Sequence, residues 1–266
     1  MGEQYNPLIY VIDTTRIDIP VRDYCSSCQR GATICPWLTI CGEPMSKLVV
    51  ASRLSGTPPD KSALTAVICS ALLLTEERPY GGAPDQIWTA HCKEDVAEHI
   101  KCLARELDIT LRFFPFDQSC SKEWPERFFL KLDQELWSTL IGSPGFEGEP
   151  QHEETELTLG EVRSILDAFI DRYHRQVDGE SGQTPLAYWN DHCFPKAVDP
   201  ELLKVSLRRR VSKRGIAFEG RSYWHAELAA LVGKEVVIRV DPIGSMPESI
   251  EVFDQEQWVC TAGRKR

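Results

Sequence analysis

The sequence predicts a mixed α/β domain followed by a small all-β barrel. Three strand-type segments open the chain and then alternate with helix-type segments, whereas short strand-type segments fill its last part. A stretch rich in Gly, Pro and Glu begins at Gly142 and has the composition of a linker. We therefore expect a first domain at residues 5–145, a linker with a helix at 146–200, and a barrel at 201–263.

The first half of the chain contains segments with strand periodicity and segments with helix periodicity. Residues 7–23, 32–41 and 47–55 are apolar and β-prone, and the short turns between them predict an antiparallel meander. The segments that follow are a helix at 57–77, a strand at 84–90, a helix at 93–108, a strand at 109–116 and a helix at 121–136. This order is that of the ribonuclease H-like fold, a mixed five-stranded sheet with helices on its faces.

Helical spacing returns at 157–177, where Thr158 or Gly160 is a candidate N-cap. A second helix is predicted at 199–209. Short strands are then predicted at 214–220, 221–225, 234–242, 249–254 and 256–262. Five short strands with turn residues between them indicate a small β-barrel.

The charge of the chain is unevenly distributed. A formal net charge of −10 argues against a general nucleic-acid binder. Residues 204–221, however, carry seven basic side chains and one acidic side chain. These side chains could contact DNA phosphates, or they could simply form a solvated helix face. The candidates for DNA binding are Arg208, Arg209, Arg210, Lys213, Arg214 and Arg221.

The chain lacks the sequence features of a membrane or secreted protein. No apolar run approaches the roughly 20 residues of a membrane span. The first residues lack the basic stretch that opens a signal peptide. We expect a cytoplasmic location without membrane contact, in which the ten cysteines are mostly reduced thiols.

Four of these cysteines lie close together in the sequence. Cys25, Cys28, Cys35 and Cys41 include one Cys-x2-Cys pair, which could contribute to a zinc site. The second such pair, which usually completes the site, is missing. Alternatively, Cys35 and Cys41 are small hydrophobic residues of an apolar strand.

An ordered set of motifs carries a family resemblance. The C-terminal part contains Arg-x-Val-x-x-x-Gly-Ile, then Tyr223, a Leu-x-Gly-x-x-Val around Gly233, Arg239 and Asp241-Pro242. It resembles the C-terminal β-barrel of the bacteriophage Mu transposase family, which includes the Tns-type transposases. Matches extend from about residue 8 to residue 262.

The resemblance implies a catalytic core with two Asp and one Glu, the DDE site, which holds two Mg²⁺ ions for DNA strand transfer. Asp13 matches the first position, and Glu126 in Glu-Arg-Phe matches the last. The second position is occupied by Ala90. The number of residues between Ala90 and Glu126 is 35, the spacing that the family pattern has. Taken alone, Asp13 could cap a turn and Glu126 could complement a helix dipole.

Alanine offers no ligand atom, so the resemblance implies weak Mg²⁺ binding at Asp13 and Glu126 and a defective reaction. Substitute ligands are conceivable. His91 offers a nitrogen, which suits softer metals, and Asp85 lies at the far end of the strand. Glu94 and Asp117 cannot be placed from the sequence. A nucleophilic role for His91 with Cys92 lacks an identifiable orienting partner.

Three functions are therefore open. The first is a DNA-binding accessory or assembly subunit of DNA transposition and integration in the bacterial cytoplasm, associated with the nucleoid. Its partners would include DNA, an active paralogue, a transposition ATPase and possible further copies of the chain. The second is an active strand transferase with a substitute ligand. The third is a domesticated protein-interaction scaffold. The resemblance begins within ten residues of Met1, so the family's end-binding modules are expected to be absent.

Overall fold

The structure is a computed structural model. It describes residues 6–23, 32–76, 78–91, 96–114, 123–137, 157–243 and 247–265. The chain divides into two compact units, Met1–Val198 and Asp199–Arg266. In the described part of the chain, no helix is both long and apolar enough to cross a membrane.

A five-stranded mixed sheet organises the first unit. Its strands are β1 (Ile9–Arg16), β4 (Trp37–Glu43), β5 (Leu48–Ser55), β6 (Gln86–Thr89) and β7 (Thr110–Phe113). The spatial order is β5-β4-β1-β6-β7. The β1–β4 and β4–β5 pairs are antiparallel, whereas β1–β6 and β6–β7 are parallel. This is the ribonuclease H-like arrangement that the sequence predicts, and the fold class is confirmed.

The predicted strand at 7–23 is wrong in one respect. The chain leaves the sheet after Arg16 and forms a separate two-stranded sheet from β2 (Val21–Asp23) and β3 (Ala32–Ile34). Pro20 precedes β2 and Pro36 separates β3 from β4. Because proline has no N–H to donate, a continuous ladder through these positions is disfavoured.

Five helices of the first unit accompany the sheet in the described residues. They are α1 (Lys61–Leu72), α2 (Glu98–Glu106), α3 (Glu123–Leu132), α4 (Leu159–His174) and α5 (Pro185–His192), and a π-helical turn, Asp133–Trp137, follows α3. Thr158 and Glu161 form a capping box at the start of α4, which confirms Thr158 as the N-cap.

Helices α3 and α4 supply the largest side chains of a core that also contains sheet residues. Trp124 and Phe128 of α3 pack with Phe169 and Tyr173 of α4, and all four are buried. Trp124 lies directly on Gly42 of β4, where any Cβ would overlap the indole ring. A glycine here therefore lets the first turn of α3 approach the sheet closely.

The free edge of β5 is satisfied by side chains. The Val49 N–H donates to Nε2 of His174, at 3.1 Å. Arg78 donates to the Val50 carbonyl at 3.2 Å, and Arg163 of α4 donates to the Leu54 carbonyl at 2.9 Å. These contacts use main-chain groups that would otherwise face outward from an edge strand.

The second unit is a curved six-stranded antiparallel sheet. Its strands are β8 (Val205–Arg210), β9 (Ile216–Phe218), β10 (Arg221–Trp224), β11 (Glu235–Val240), β12 (Ser249–Asp254) and β13 (Gln257–Arg264), in the order β8-β11-β12-β13-β10-β9. The edge strands β8 and β9 approach each other, since the Arg209 guanidinium lies 5.9 Å from the Phe218 ring centroid. The sheet is thus a nearly closed barrel around a core that includes Tyr223 and Ile238.

The predicted helix at 199–209 is wrong. Only a four-residue helix, α6 (Pro200–Leu203), is present, and the basic residues that follow it belong to β8. Val205 and Leu207 are partly buried while Ser206 and Arg208 are exposed. This alternation has the period of a strand, and pairing with β11 fixes it.

Stability should fall in mild acid because of His174. Burial lowers the pKa of His174 to about 4, so the folded protein holds the neutral ring. The unfolded chain takes up that proton near the ordinary pKa of about 6.5. The contribution of the neutral His174 ring to the free energy of unfolding is therefore present above pH 6.5 and is lost as the pH falls toward 4. We expect this residue to reduce the free energy of unfolding by about 2 kcal/mol between pH 7 and pH 5.

Urea denaturation at both pH values measures this effect. His174→Gln keeps a group that can accept from Val49 but cannot take up the proton, so it should flatten the pH dependence. His192→Gln, at an exposed position of α5, is the matched control and should follow the wild type. An unchanged slope in His174→Gln would assign the pH dependence to other groups.

Candidate active site and cationic surface

The pairing of β1 with β6 brings the strand that carries Asp13 next to the strand that Ala90 follows. The parallel register matches Val11 with Trp88 and Ile12 with Thr89. Continued by one residue beyond the end of β6, this register would pair Asp13 with Ala90. Both residues are half-buried. This is consistent with the prediction that a methyl group stands where the family pattern has its second carboxylate.

A small polar cluster follows Asp13 on β1. The Thr14 N–H donates to Oδ1 of Asp13 at 2.8 Å. The Thr14 hydroxyl lies 3.0 Å from Oγ1 of Thr39 and 3.1 Å from Nε2 of His91. The Thr89 hydroxyl accepts from the His91 N–H at 3.1 Å, which fixes the turn after β6. The sequence analysis did not predict this cluster. The threonines next to Asp13 and Ala90 are the residues from which a polar cluster could have been predicted.

Glu126 lies on the helix that packs against the same face of the sheet as Asp13. Asp13 is directly opposite Ile40 of β4, and directly opposed residues share a face. Ile40 belongs to the core cluster that contains Trp124 and Phe128 of α3. Glu126 is in the first turn of this helix and its side chain is exposed. Asp13 and Glu126 are thus presented on one side of the sheet.

The candidate substitute ligands differ in position. Asp85 lies at the opposite end of β6 from Ala90, and its Oδ2 accepts from the Leu8 N–H at 2.7 Å. It therefore serves the start of β1 rather than the site. Glu94, Asp117 and Cys92 lie outside the described residues. His91 has the Thr14 hydroxyl as a neighbour.

Two carboxylates and a methyl group do not fit a pair of Mg²⁺ ions. Each ion prefers near-octahedral oxygen coordination, and in a two-ion site the carboxylates are shared between the ions. Without an oxygen at Ala90, one shared ligand is missing. The assignment of Asp13 and Glu126 to the two other positions of the family pattern stays a prediction.

The predicted DNA-binding residues are brought together at one end of the barrel. Arg208, Arg209 and Arg210 lie on β8, Lys213 and Arg214 lie in the turn before β9, and Arg221 begins β10. Arg221 is directly opposite Phe218, and the Arg209 guanidinium lies over that same Phe218 ring. All six therefore surround the β8–β9 edge.

These cations differ in how far they are neutralised. Arg208 is 82% exposed, and its guanidinium lies 3.8 Å from Glu235, a distance and exposure at which an ion pair is weak. Arg210 donates to the Gly233 carbonyl at 3.0 Å, which orients the side chain without cancelling its charge. Lys213 and Arg214 are exposed. The surface thus retains most of its positive charge.

Lys204 is different, although it belongs to the same basic segment. Its ammonium lies 2.7 Å from Glu201 and 2.8 Å from Glu251. These two carboxylates raise its pKa. Lys204 therefore stabilises the start of the barrel and contributes little positive charge to the surface.

Comparisons with known proteins agree with this arrangement. Residues 201–261 match the family described as Mu transposase, C-terminal. The chain is also 27% identical over 264 residues to the transposase for transposon Tn552 of Staphylococcus aureus. The chain is thus similar to transposases in its C-terminal part and along most of its length. The alignment covers 96% of this chain and 53% of the Tn552 protein, so the chain spans about half the length of that curated relative.

Solved structures of retroviral integrases are also similar. The catalytic core of BIV integrase is 14% identical, with 70% of this chain and 95% of that chain covered and a TM-score of 0.44. A second similar structure is the simian T-cell lymphotropic virus intasome in complex with the PP2A regulatory subunit B56 gamma. Its matched chain is 10% identical, with 96% of this chain and 79% of that chain covered and a TM-score of 0.48.

The predicted cysteine cluster is only partly described. Cys25 and Cys28 lie outside the described residues. Cys41 is buried in β4, where burial raises the pKa of its thiol, and Cys35 is partly buried just before the strand. The zinc site at these four cysteines remains a prediction, and the burial of Cys41 is also what a small hydrophobic residue would show.

Restoring a carboxylate at position 90 should create a Mg²⁺ site. Ala90→Asp sets an oxygen donor next to Asp13, so we expect Mg²⁺ affinity to rise by about tenfold or more, as measured by isothermal titration calorimetry. Adding Asp13→Asn should cancel the gain. Ala197→Asp adds the same charge at an exposed position and should bind Mg²⁺ like the wild type. Equal affinities for all four proteins would mean that Ala90 does not face Asp13.

Proposed function

We propose that this chain is a DNA-binding, transposase-like protein that has lost strand-transfer catalysis. The observation that supports the proposal is the β1–β6 register, which would pair Ala90 with Asp13 if it continued by one residue beyond Thr89. The similarity to a Tn552 transposase supports the setting of DNA transposition and integration. The exposed cations at the β8–β9 edge support contact with DNA.

The loss of catalysis follows from the chemistry of phosphoryl transfer. Two ions held a few ångströms apart stabilise the attacking and the leaving oxygen. Removing a ligand that both ions share weakens the pair and disturbs the in-line geometry. We therefore expect the rate of strand transfer to be orders of magnitude lower than with a complete set of three carboxylates. Any Mg²⁺ that still binds would rely on Asp13 and Glu126.

The fold of the core favours a structural role for this half of the protein. The core has the features of a stably folded domain. These are helix caps, close packing of α3 against the sheet, and side-chain hydrogen bonds along the β5 edge. A folded core without chemistry can still occupy its place in an assembly. We propose an accessory or assembly subunit that acts with an active paralogue and a transposition ATPase. Several copies of the chain could assemble with one another. The subunit would bind DNA at the nucleoid in the cytoplasm.

The electrostatics of the two units support DNA contact through the barrel alone. Acidic residues predominate before residue 200, so the first unit would repel phosphates. The barrel carries the cluster around Arg208, Arg214 and Arg221. A surface of this kind binds the DNA backbone without reading sequence. Recognition of a particular target would therefore depend on a partner.

Two other functions remain candidates. An active strand transferase would need a substitute ligand, and His91, which directly follows Ala90 in the sequence, is the candidate within the described residues. A protein-interaction scaffold would not need DNA, and the exposed cations would then only keep the barrel solvated.

A strand-transfer assay tests the catalytic part of the proposal. We expect no 3′-end joining of duplex oligonucleotides by the wild type in Mg²⁺ or Mn²⁺, because the second shared ligand is missing. Joining that disappears in Asp13→Ala and in Glu126→Ala would establish an active site and overturn the proposal. His91→Ala would then show whether the imidazole is the substitute ligand. Joining by Ala90→Asp alone would trace the defect to that position.

The salt dependence of DNA binding tests the other part. The double substitution Arg208→Ala with Arg214→Ala should weaken binding to duplex DNA of any sequence. The slope of log K against log salt, measured by fluorescence anisotropy, should fall by about 1 for each phosphate that the variant no longer neutralises. Arg105→Ala removes an exposed arginine of α2 and is the matched control. Failure of the wild type to bind duplex DNA at any salt concentration would favour the scaffold.

A further inference from the structure

Three potential metal ligands converge in the C-terminal unit. His225 follows β10, Glu227 lies in the 3-10 turn Ala226–Leu231, and Cys260 lies on β13. One ligand atom from each side chain lies within 4.8 Å of the other two. Among the described residues, this is the one group of three that could share an ion.

The local structure holds these side chains in place. His225 is the N-cap of the 3-10 turn, and its Nδ1 accepts from the Glu227 N–H at 3.4 Å. The same Nδ1 lies 3.9 Å from Oε2 of Glu227. Leu228 and Leu231 of the turn are buried in the barrel core, which also contains Cys260. The turn is therefore packed against the strand that carries the thiol.

The distances suit an ion after a small adjustment. Bonds of roughly 2.0–2.3 Å in a tetrahedral arrangement separate ligand atoms by roughly 3.4–3.7 Å. Closing from the present limit of 4.8 Å requires movements of about 1 Å. His225 and Glu227 are exposed, so rotation of their side chains can supply this movement without disturbing the core.

The combination of donors selects the type of metal. A thiolate and an imidazole favour zinc and similar borderline ions, whereas Mg²⁺ prefers oxygen ligands only. Three protein ligands leave a fourth position for water or for an atom of a partner.

We propose that His225, Glu227 and Cys260 form a zinc site that clamps the 3-10 turn to β13. The site is distinct from the Asp13–Glu126 positions and from the predicted cluster at Cys25, Cys28, Cys35 and Cys41. It requires neither DNA binding nor strand transfer. Its test can therefore succeed or fail independently of the function proposed above.

Cobalt is the probe for this site, because Co²⁺ occupies zinc sites and gives a thiolate charge-transfer band when a cysteine is bound. The full chain, freed of metal by chelation, is titrated with Co²⁺ and then with Zn²⁺. We expect the band to appear with a single ion per chain, and Zn²⁺ to displace the cobalt. Mg²⁺ in excess should not displace it.

The variants assign the ligands. Cys260→Ala should abolish the band, and His225→Ala, an exposed position that leaves the core unchanged, should weaken Co²⁺ binding by about tenfold or more. Cys102→Ser removes an exposed cysteine of α2 and is the matched control that keeps the band. Melting of His225→Ala by circular dichroism, compared with the metal-free wild type, confirms that the variant is folded.

Two results would overturn the proposal. The first is the absence of a band in the wild-type chain. The second is a band that survives in Cys260→Ala. If that surviving band is lost in Cys25→Ser with Cys28→Ser, the ion belongs to the N-terminal cysteine cluster instead.

Discussion

The parallel pairing of β1 with β6 is the constraint on which the first unit depends. It joins the N-terminal antiparallel strands to the later α/β part of the chain. Side chains alternate between faces along a strand, so a slip of one residue would exchange the buried and exposed sets of β6. Ile87 is buried in the observed register. The same register that protects the core also fixes which residue lies beside Asp13.

Under the proposed function, an alanine at position 90 is compatible with an undamaged fold. Clustered carboxylates repel one another in the absence of metal, and such sites are maintained at a cost in stability. A methyl group in a half-buried position after β6 adds no negative charge near the strand that carries Asp13. Alanine would therefore avoid repulsion while it offers no ligand. Stability and chemistry would then be separable at this position.

The sequence was sufficient for most of the elements. The helices α2, α3 and α4 have clear apolar periodicity, and the capping residue Thr158 is confirmed. The assignment of Ala90 to the second family position rests on its 35-residue spacing from Glu126 and stays a prediction. These features are local, and local patterns are what a sequence displays directly.

The wrong secondary-structure predictions lie where tertiary contacts determine the conformation of a segment. Residues 204–210 contain good helix formers, yet pairing with β11 makes a strand of them and turns Arg209 toward Phe218. The break after Arg16 depends on where the chain finds its partner strand. The association of His225 with Cys260 spans a distance in sequence that no spacing rule covers. Such contacts follow from the closure of the barrel rather than from any one segment.

The side-chain caps on β5 have a consequence for self-association. An edge strand with free main-chain groups can add a strand from another molecule. Here Val49, Val50 and Leu54 already bond to His174, Arg78 and Arg163. That border of the sheet is closed to strand addition at these three groups. Growth into an extended intermolecular sheet is thereby discouraged along this part of β5.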